Sequence, residues 1–310
     1  MPLLDAIRAL CDLDPPERLP PCDLGELADV LQAHGLAPMA SYHVENRLVG
    51  AGLPDSFRER LLTVYQGVVN DNLYRVLTLR GLLKEAGGIV AVVLDGAAYA
   101  DWLYPHLAFR PLGDLRLAVR GEDGARFAEA AARAGFALEE TRAGGRTATF
   151  GDGKIRVGIQ EGLWPGATAD PGLFERRRPD PAFGPAVARP APEDAVLGAV
   201  AGQALLGLYV PLHTFVDLRE LLRLEPAVDA DLIRRRAAEL GLERALYGSM
   251  TLLARFFPKV AERALSLRPE LSTAERLAVE GIVESAGDPA RLRHLRGAES
   301  AARAVVAPRS

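Results

Sequence analysis

Residues 92–119 read VVLDGAAYADWLYPHLAFRPLGDLRLAV, and their reading decides the fold. Residues 89–94 are apolar throughout and flanked by glycine, the pattern of a strand covered on both faces. Asp95 and Gly96 end that run, and a short helix is predicted over residues 96–103 with Asp95 as its N-cap. From Asp114 onward, Leu115, Leu117 and Val119 alternate with Arg116 and Ala118, which is the period of a second strand.

The same period continues on the C-terminal side. Residues 122–134 form an amphipathic helix stopped by Gly135. Residues 136–139, 146–150 and 154–159 read as strands, with hairpin turns at Gly144 and Gly145 and at Gly151, Asp152 and Gly153. On the N-terminal side the chain is helical. Asp23 and Glu26 have capping-box spacing, Gly35 closes one helix, and residues 40–48 form the next. A long helix starts at Pro54, and Asn70 and Asn72 read as solvated positions on it.

Residues 163–192 are rich in Pro and Gly and contain Arg176, Arg177 and Arg178; they read as an irregular connection. Helices resume over residues 193–209, 212–223, 229–240, 242–257, 273–285 and 289–306, with Ser272 and Glu275 repeating the capping-box spacing. The organisation is a helical lobe over 1–85, an α/β core over 86–162, the connection over 163–192 and a second helical lobe over 193–310.

Composition narrows the function classes. A net charge of −4 supplies no basic field for nucleic acid, and only Lys84, Lys154 and Lys259 are lysines. The short basic runs at Arg176–Arg178 and at Arg291, Arg293, His294 and Arg296 lack interleaved aromatics and read as solvated faces. Cys11 and Cys22 are the only cysteines, which suits a reducing compartment, and residues 1–14 lack the features of a signal peptide. A cytoplasmic protein is expected. The uncharged run 195–212 contains Gln203 and glycines and reads as a buried core helix, not a membrane span. His34, His43, His106, His213 and His294 are dispersed without metal-ligand spacing, and His106 reads as a solvated loop residue.

Leu94, Asp95 and Gly96, followed by Arg110, Pro111, Leu112, Gly113, Asp114, Leu115 and Arg116, resemble the core motif of the uncharacterised bacterial nucleotidyltransferases of the DNA polymerase β superfamily. The resemblance implies a mostly helical α+β fold, with a small mixed nucleotidyltransferase-like sheet and flanking helical lobes. It also implies lysine where Asp95 stands, a second aspartate where Arg116 stands, and an aspartate–x–histidine step that aligns with Gly158 and Gln160. In the family's chemistry the glycine admits the phosphates to a helix N-terminus, and two carboxylates at i and i+2 on a strand share Mg²⁺.

Here Gly96 and Asp114 are in place, whereas Arg116 cannot ligate a metal. The spacing predicts an Asp114–Arg116 ion pair on one strand face. Asp95, Gly96, Arg110, Asp114 and Arg116 are the candidate nucleotide-binding residues, with Asp114, Arg116, Gly158 and Gln160 a vestigial catalytic site. Asp217 reads as structural, and Gln203 stands where related helices carry a histidine. The leading expectation is a pseudoenzyme without metal or cofactor, which binds a nucleotide or a protein partner and neither nucleic acid nor membrane. Two alternatives stand beside it. One is an active, Mg²⁺-dependent transferase of NMP to a protein, RNA or small-molecule hydroxyl, using Asp114 with Asp152 or Glu161. The other is a ligand-free scaffold.

Overall fold

The computed structural model describes residues 2–16, 18–46, 52–184, 187–287 and 299–308 of the chain. Helices α1 (Pro2–Cys11), α2 (Leu24–Ala33) and α3 (Ala37–Asn46) precede the long α4 (Asp55–Glu85). Strand β1 (Ala91–Leu94), α5 (Asp95–Trp102), β2 (Leu115–Ala118) and α6 (Gly124–Arg133) follow, and then β3 (Ala137–Arg142), β4 (Thr147–Gly151) and β5 (Arg156–Gln160). Next come α7 (Pro171–Arg176), β6 (Arg178–Pro179), β7 (Val187–Arg189), α8 (Pro192–Ala204), α9 (His213–Arg223), α10 (Ala230–Glu239) and α11 (Glu243–Phe256). The last are α12 (Ala261–Ser266), α13 (Thr273–Ala286) and α14 (Glu299–Val306). The protein is a mostly helical α+β fold, as expected.

Contacts divide the chain into two compact units. One comprises Met1–Val69, Ala108–Pro111 and Ala199–Ser310; the other comprises Asn70–Leu107 and Leu112–Gly198. The second unit holds the sheet, whose order is β3-β4-β5-β2-β1-β7-β6. β1 and β2 are antiparallel with Leu94 opposite Arg116, and β2 runs parallel to β5 with Arg116 opposite Gly158. Their central position explains the apolar runs: Ala91, Val92, Val93 and Leu117 have no exposed surface. The turns at 143–145 and 152–154 join antiparallel neighbours, as their glycines predict.

The stretch 163–192 departs from the expected irregular connection. Asp170 caps α7 by accepting from the Leu173 amide at 3.2 Å. Arg176 then grips the fully buried Asp194 through two hydrogen bonds of 2.9 and 3.0 Å. β7 extends the sheet in parallel with β1. With only three residues, β7 is too short to show a period, so its pairing partner determines its structure.

Asn72 also departs from its reading as a solvated residue. It is 1% exposed, donating from its amide nitrogen to the Leu107 carbonyl at 2.8 Å and accepting from the Leu112 amide at 2.9 Å. One helical side chain thus satisfies backbone groups at both ends of a loop.

The first unit is built from helices. Asp23 accepts from the Glu26 amide at 2.8 Å, and Ser272 and Glu275 form the predicted reciprocal capping box. α8, which spans the boundary of the two units, buries Val196, Leu197, Val200 and Ala201 completely; the expected core helix over 195–212 stops at Ala204, and Leu206 beyond it is exposed. No helix among the described residues is long and apolar enough to cross a membrane. Residues 288–298, which include Arg291, Arg293, His294 and Arg296, and the end of the predicted 40–48 helix lie outside the described residues. Cys11 and Cys22 are free thiols, and burial pushes Cys11 up to about 12, so it stays protonated.

Gly35 and His213 interlock at the start of α9. Gly35 has φ +68°, and a Cβ there would lie 2.7 Å from Nδ1 of His213. Nδ1 of His213 lies 3.0 Å from the His34 carbonyl, while Nδ1 of His34 accepts from the Leu212 amide at 3.0 Å. Burial, reinforced by the Arg110 charge, holds the His213 pKa well below its ordinary value.

Two outcomes are expected. Asn72→Ala leaves the buried Leu112 amide and the half-buried Leu107 carbonyl without this partner and destabilises by about 1–3 kcal/mol, read as a lower urea midpoint. For His213, the depressed folded pKa means that its stabilisation is present above about pH 6.5 and is lost as pH falls through the folded value. His213→Gln therefore shows a shallower loss of urea midpoint between pH 7.5 and 5.0 than wild type; equal slopes contradict the assignment.

Candidate functional site

The candidate site forms where β1 passes into α5 beside β2. Asp95 is a non-glycine residue at φ +54°. The N-cap of α5 is Leu94, which makes no side-chain cap hydrogen bond. This corrects the expected Asp95 cap. Its carboxylate instead accepts from Nη1 of Arg116 at 3.0 Å, the residue opposite Leu94 on the neighbouring strand. Gly96 is the second residue of α5 and is buried.

The predicted Asp114–Arg116 pair is also replaced. Asp114 accepts from Nη1 of Arg156 at 3.1 Å, and Nε of Arg156 donates to Glu139 at 2.8 Å. Cross-strand partners stand closer: residues i and i+2 share a face roughly 6.5 Å apart along a strand, whereas neighbouring strands lie about 4.8 Å apart. Asp114 and Arg116 both take partners of that kind. Spacing alone does not forbid a pair within one strand, since Arg142 donates to Glu140, two residues earlier in β3, at 2.6 Å.

Asp114, Arg116, Gly158 and Gln160 line one cavity of about 170 Å³ together with Glu140, Arg142, Thr147, Thr149 and Arg156. Gln160 is 2% exposed and donates to the Gly162 carbonyl at 2.9 Å. Gly158 is not sterically required, since a Cβ there would meet nothing closer than the Leu115 carbonyl oxygen at 3.8 Å. Glu139, Glu140, Arg142 and Arg156 were not legible as site residues. Their signal was the register of the β3–β4–β5 meander, which alternation alone does not supply.

Arg110 does not line that cavity. Its Nε donates to both carboxylate oxygens of Asp217, at 2.8 and 3.1 Å, and its Nη1 donates to the Pro111 carbonyl at 2.6 Å. Both side chains are largely buried, so Asp217 is structural, as its position in α9 predicts. Gln203 likewise serves packing, donating to the Thr214 hydroxyl at 3.1 Å.

The residues present do not fit Mg²⁺. Among the described residues, no three His, Cys, Asp or Glu side chains come together as a metal site. The carboxylates of the cavity face guanidiniums, which carry a permanent charge and no lone pair to offer. Displaced donors do not restore the set. Asp152 accepts from the amides of Ile155 and Lys154 at 2.7 and 2.8 Å, and these bonds hold its carboxyl below its ordinary value. The Glu161 carboxylate lies against Gly121, where an added Cβ would be 2.7 Å from Oε1. Neither residue lines the cavity.

A family model described as an uncharacterised nucleotidyltransferase matches residues 20–258, and the chain belongs to this family. No curated protein and no solved structure matches it.

The two kinds of ion pair respond differently to removal of the acid. Asp217→Ala strands a buried guanidinium and costs about 3–5 kcal/mol. Asp95→Ala removes a pair whose side chains are 36% and 30% exposed, and costs no more than about 1 kcal/mol. Urea unfolding of both variants checks the contrast, and a comparable loss in the two contradicts it.

Proposed function

We propose that this member of the family keeps the transferase fold, has lost metal-dependent transfer and acts by binding, with the phosphate groups of a nucleotide as its ligand. The observation that carries this reading is the Arg116–Asp95 ion pair. The resemblance implies a metal-binding carboxylate at the first position and a phosphate-binding lysine at the second. Their exchange preserves a charge pair while inverting what each position attracts.

Three guanidiniums, from Arg116, Arg142 and Arg156, line the cavity against two carboxylates, from Asp114 and Glu140. A phosphate entering there meets charge-assisted donors without any metal. The cavity volume of about 170 Å³ is below the roughly 300–1,000 Å³ of enclosed small-molecule sites. That size suits a phosphate group and leaves the base outside. Because every guanidinium already has a carboxylate partner, the ligand competes with internal pairs and binds weakly. A protein partner in place of the nucleotide is the companion form of the same binding role.

Active transfer is the second reading, and membership of the family is what favours it. Asp114 remains accessible, with a side chain 49% exposed. Of the carboxylates that would have to join it, Asp152 is held by the Ile155 amide, and neither Asp152 nor Glu161 lines the cavity.

Titration with ATP, GTP and CTP, with Mg²⁺ or with EDTA, is expected to give the same weak affinity in both conditions. Incubation with α-labelled NTP and cell lysate is expected to label no protein, RNA or small molecule beyond the lysate-alone control. Label that appears with wild type and vanishes with Asp114→Ala contradicts the loss of transfer. Absence of nucleotide binding in every arm contradicts the phosphate ligand and leaves the protein partner.

A further inference from the structure

A second cavity, of about 460 Å³, lies within the helical unit and shares no residue with the sheet network. It forms where α1, the segment after it, α9 and the turn following α11 meet. Its volume falls inside the roughly 300–1,000 Å³ typical of small-molecule sites. Apolar lining comes from Ala9, Pro15, Pro16, Pro20, Phe257 and Pro258.

Arg219 stands among these apolar groups. The residue is 3% exposed, and its guanidinium carbon lies 4.9 Å from the centroid of the Phe257 ring. Nε donates to Glu220 at 2.6 Å and Nη2 donates to the Cys11 carbonyl. Nη1 is engaged by neither bond and is not among the buried orphan atoms of the described residues, so its edge is left to the cavity that Arg219 lines. A guanidinium edge that opens onto a cavity is a charge-assisted donor, and an anionic oxygen is its natural complement.

The charges around Arg219 favour a single negative charge. Arg8, Arg219, Arg223 and Lys259 line the cavity against Asp5, Asp12 and Asp14. Glu220 balances the guanidiniums from outside the lining, so the positive excess is local to the cavity surface. Asp12 is already saturated. It accepts from Lys259 at 2.7 Å and pairs with Arg223 at 3.3 Å. Burial pushes its carboxyl up, but Lys259, the Asp14 amide and the guanidiniums outweigh burial and hold it below its ordinary value.

We propose that this cavity binds a small organic monocarboxylate, with its carboxylate on the Arg219 guanidinium edge and its hydrocarbon or aromatic body against Phe257 and the prolines. The site is separate from the nucleotide reading and stands whether or not that reading does.

The experiment is calorimetric titration of the full chain with benzoate and octanoate, with benzamide, benzylamine and inorganic phosphate as controls. Saturable binding of at least one carboxylate is expected, with benzamide, benzylamine and phosphate each at least tenfold weaker. Ala9→Trp, which fills the cavity, is expected to abolish binding. Lys259→Gln, at a side chain 75% exposed, is expected to keep the fold and weaken the carboxylate severalfold. Should Ala9→Trp fail to fold, Lys259→Gln alone decides. No saturable carboxylate binding below about 10 mM overturns the proposal. So does equal affinity for benzamide, or affinity unchanged in every folded variant.

Discussion

Antiparallel pairing of β1 with β2 sets Arg116 opposite Leu94, and the chemistry of the sheet face follows from that register. With Arg116 of β2 level with the end of β1, its guanidinium reaches the first residue beyond β1, Asp95. Asp114, two residues earlier, is left to the parallel neighbour β5 and pairs with Arg156. The result is a sheet face of mutually neutralised charges. A guanidinium stays protonated at any physiological pH and offers no lone pair, so no change of conditions turns Arg116 into a metal ligand.

Ion pairs in this protein divide into two kinds with different consequences. Arg110–Asp217 and Arg176–Asp194 each include an acid that is essentially inaccessible, and losing either acid would leave a cation in a poorly solvated place. These pairs maintain architecture. Arg116–Asp95 and Arg156–Asp114 are between about a third and a half exposed, where a pair contributes roughly 0–1 kcal/mol. Their stabilising effect is small, and these pairs do not hold the architecture together. Arg219 belongs to the first kind by burial yet keeps a donor edge available, which sets it apart from both groups.

The sequence carried the fold further than it carried the site. Strands β1, β2, β4 and β5 were legible because each has a buried position that the apolar pattern reports directly. β7 was not, because three residues in a Pro- and Gly-rich setting become a strand only through their parallel partner. Asn72 read as solvent-facing because helical periodicity ranks a lone polar residue by type; its burial depends on a distant loop that needs both of its hydrogen-bonding groups. Asp95 read as a cap because aspartate favours that position, yet its backbone is left-handed and its side chain is drawn across the sheet. The motif identified Asp114 and Arg116 among the charged residues of the site, while the partners of these two followed from cross-strand register. Arg110 shows the same limit: its motif position was evident, and its bond to Asp217, far along the chain, was not.

The central claim is that a guanidinium bound to Asp95 occupies the position a divalent ion needs. Its most direct test is Mn²⁺ binding followed by electron paramagnetic resonance and water-proton relaxation, with and without ATP. The account predicts that adding the protein to Mn²⁺ or to Mn²⁺–ATP produces no stoichiometric binding and no relaxation enhancement that depends on Asp114. One or two Mn²⁺ ions held per chain, displaced by Mg²⁺ and lost in Asp114→Ala, would contradict it.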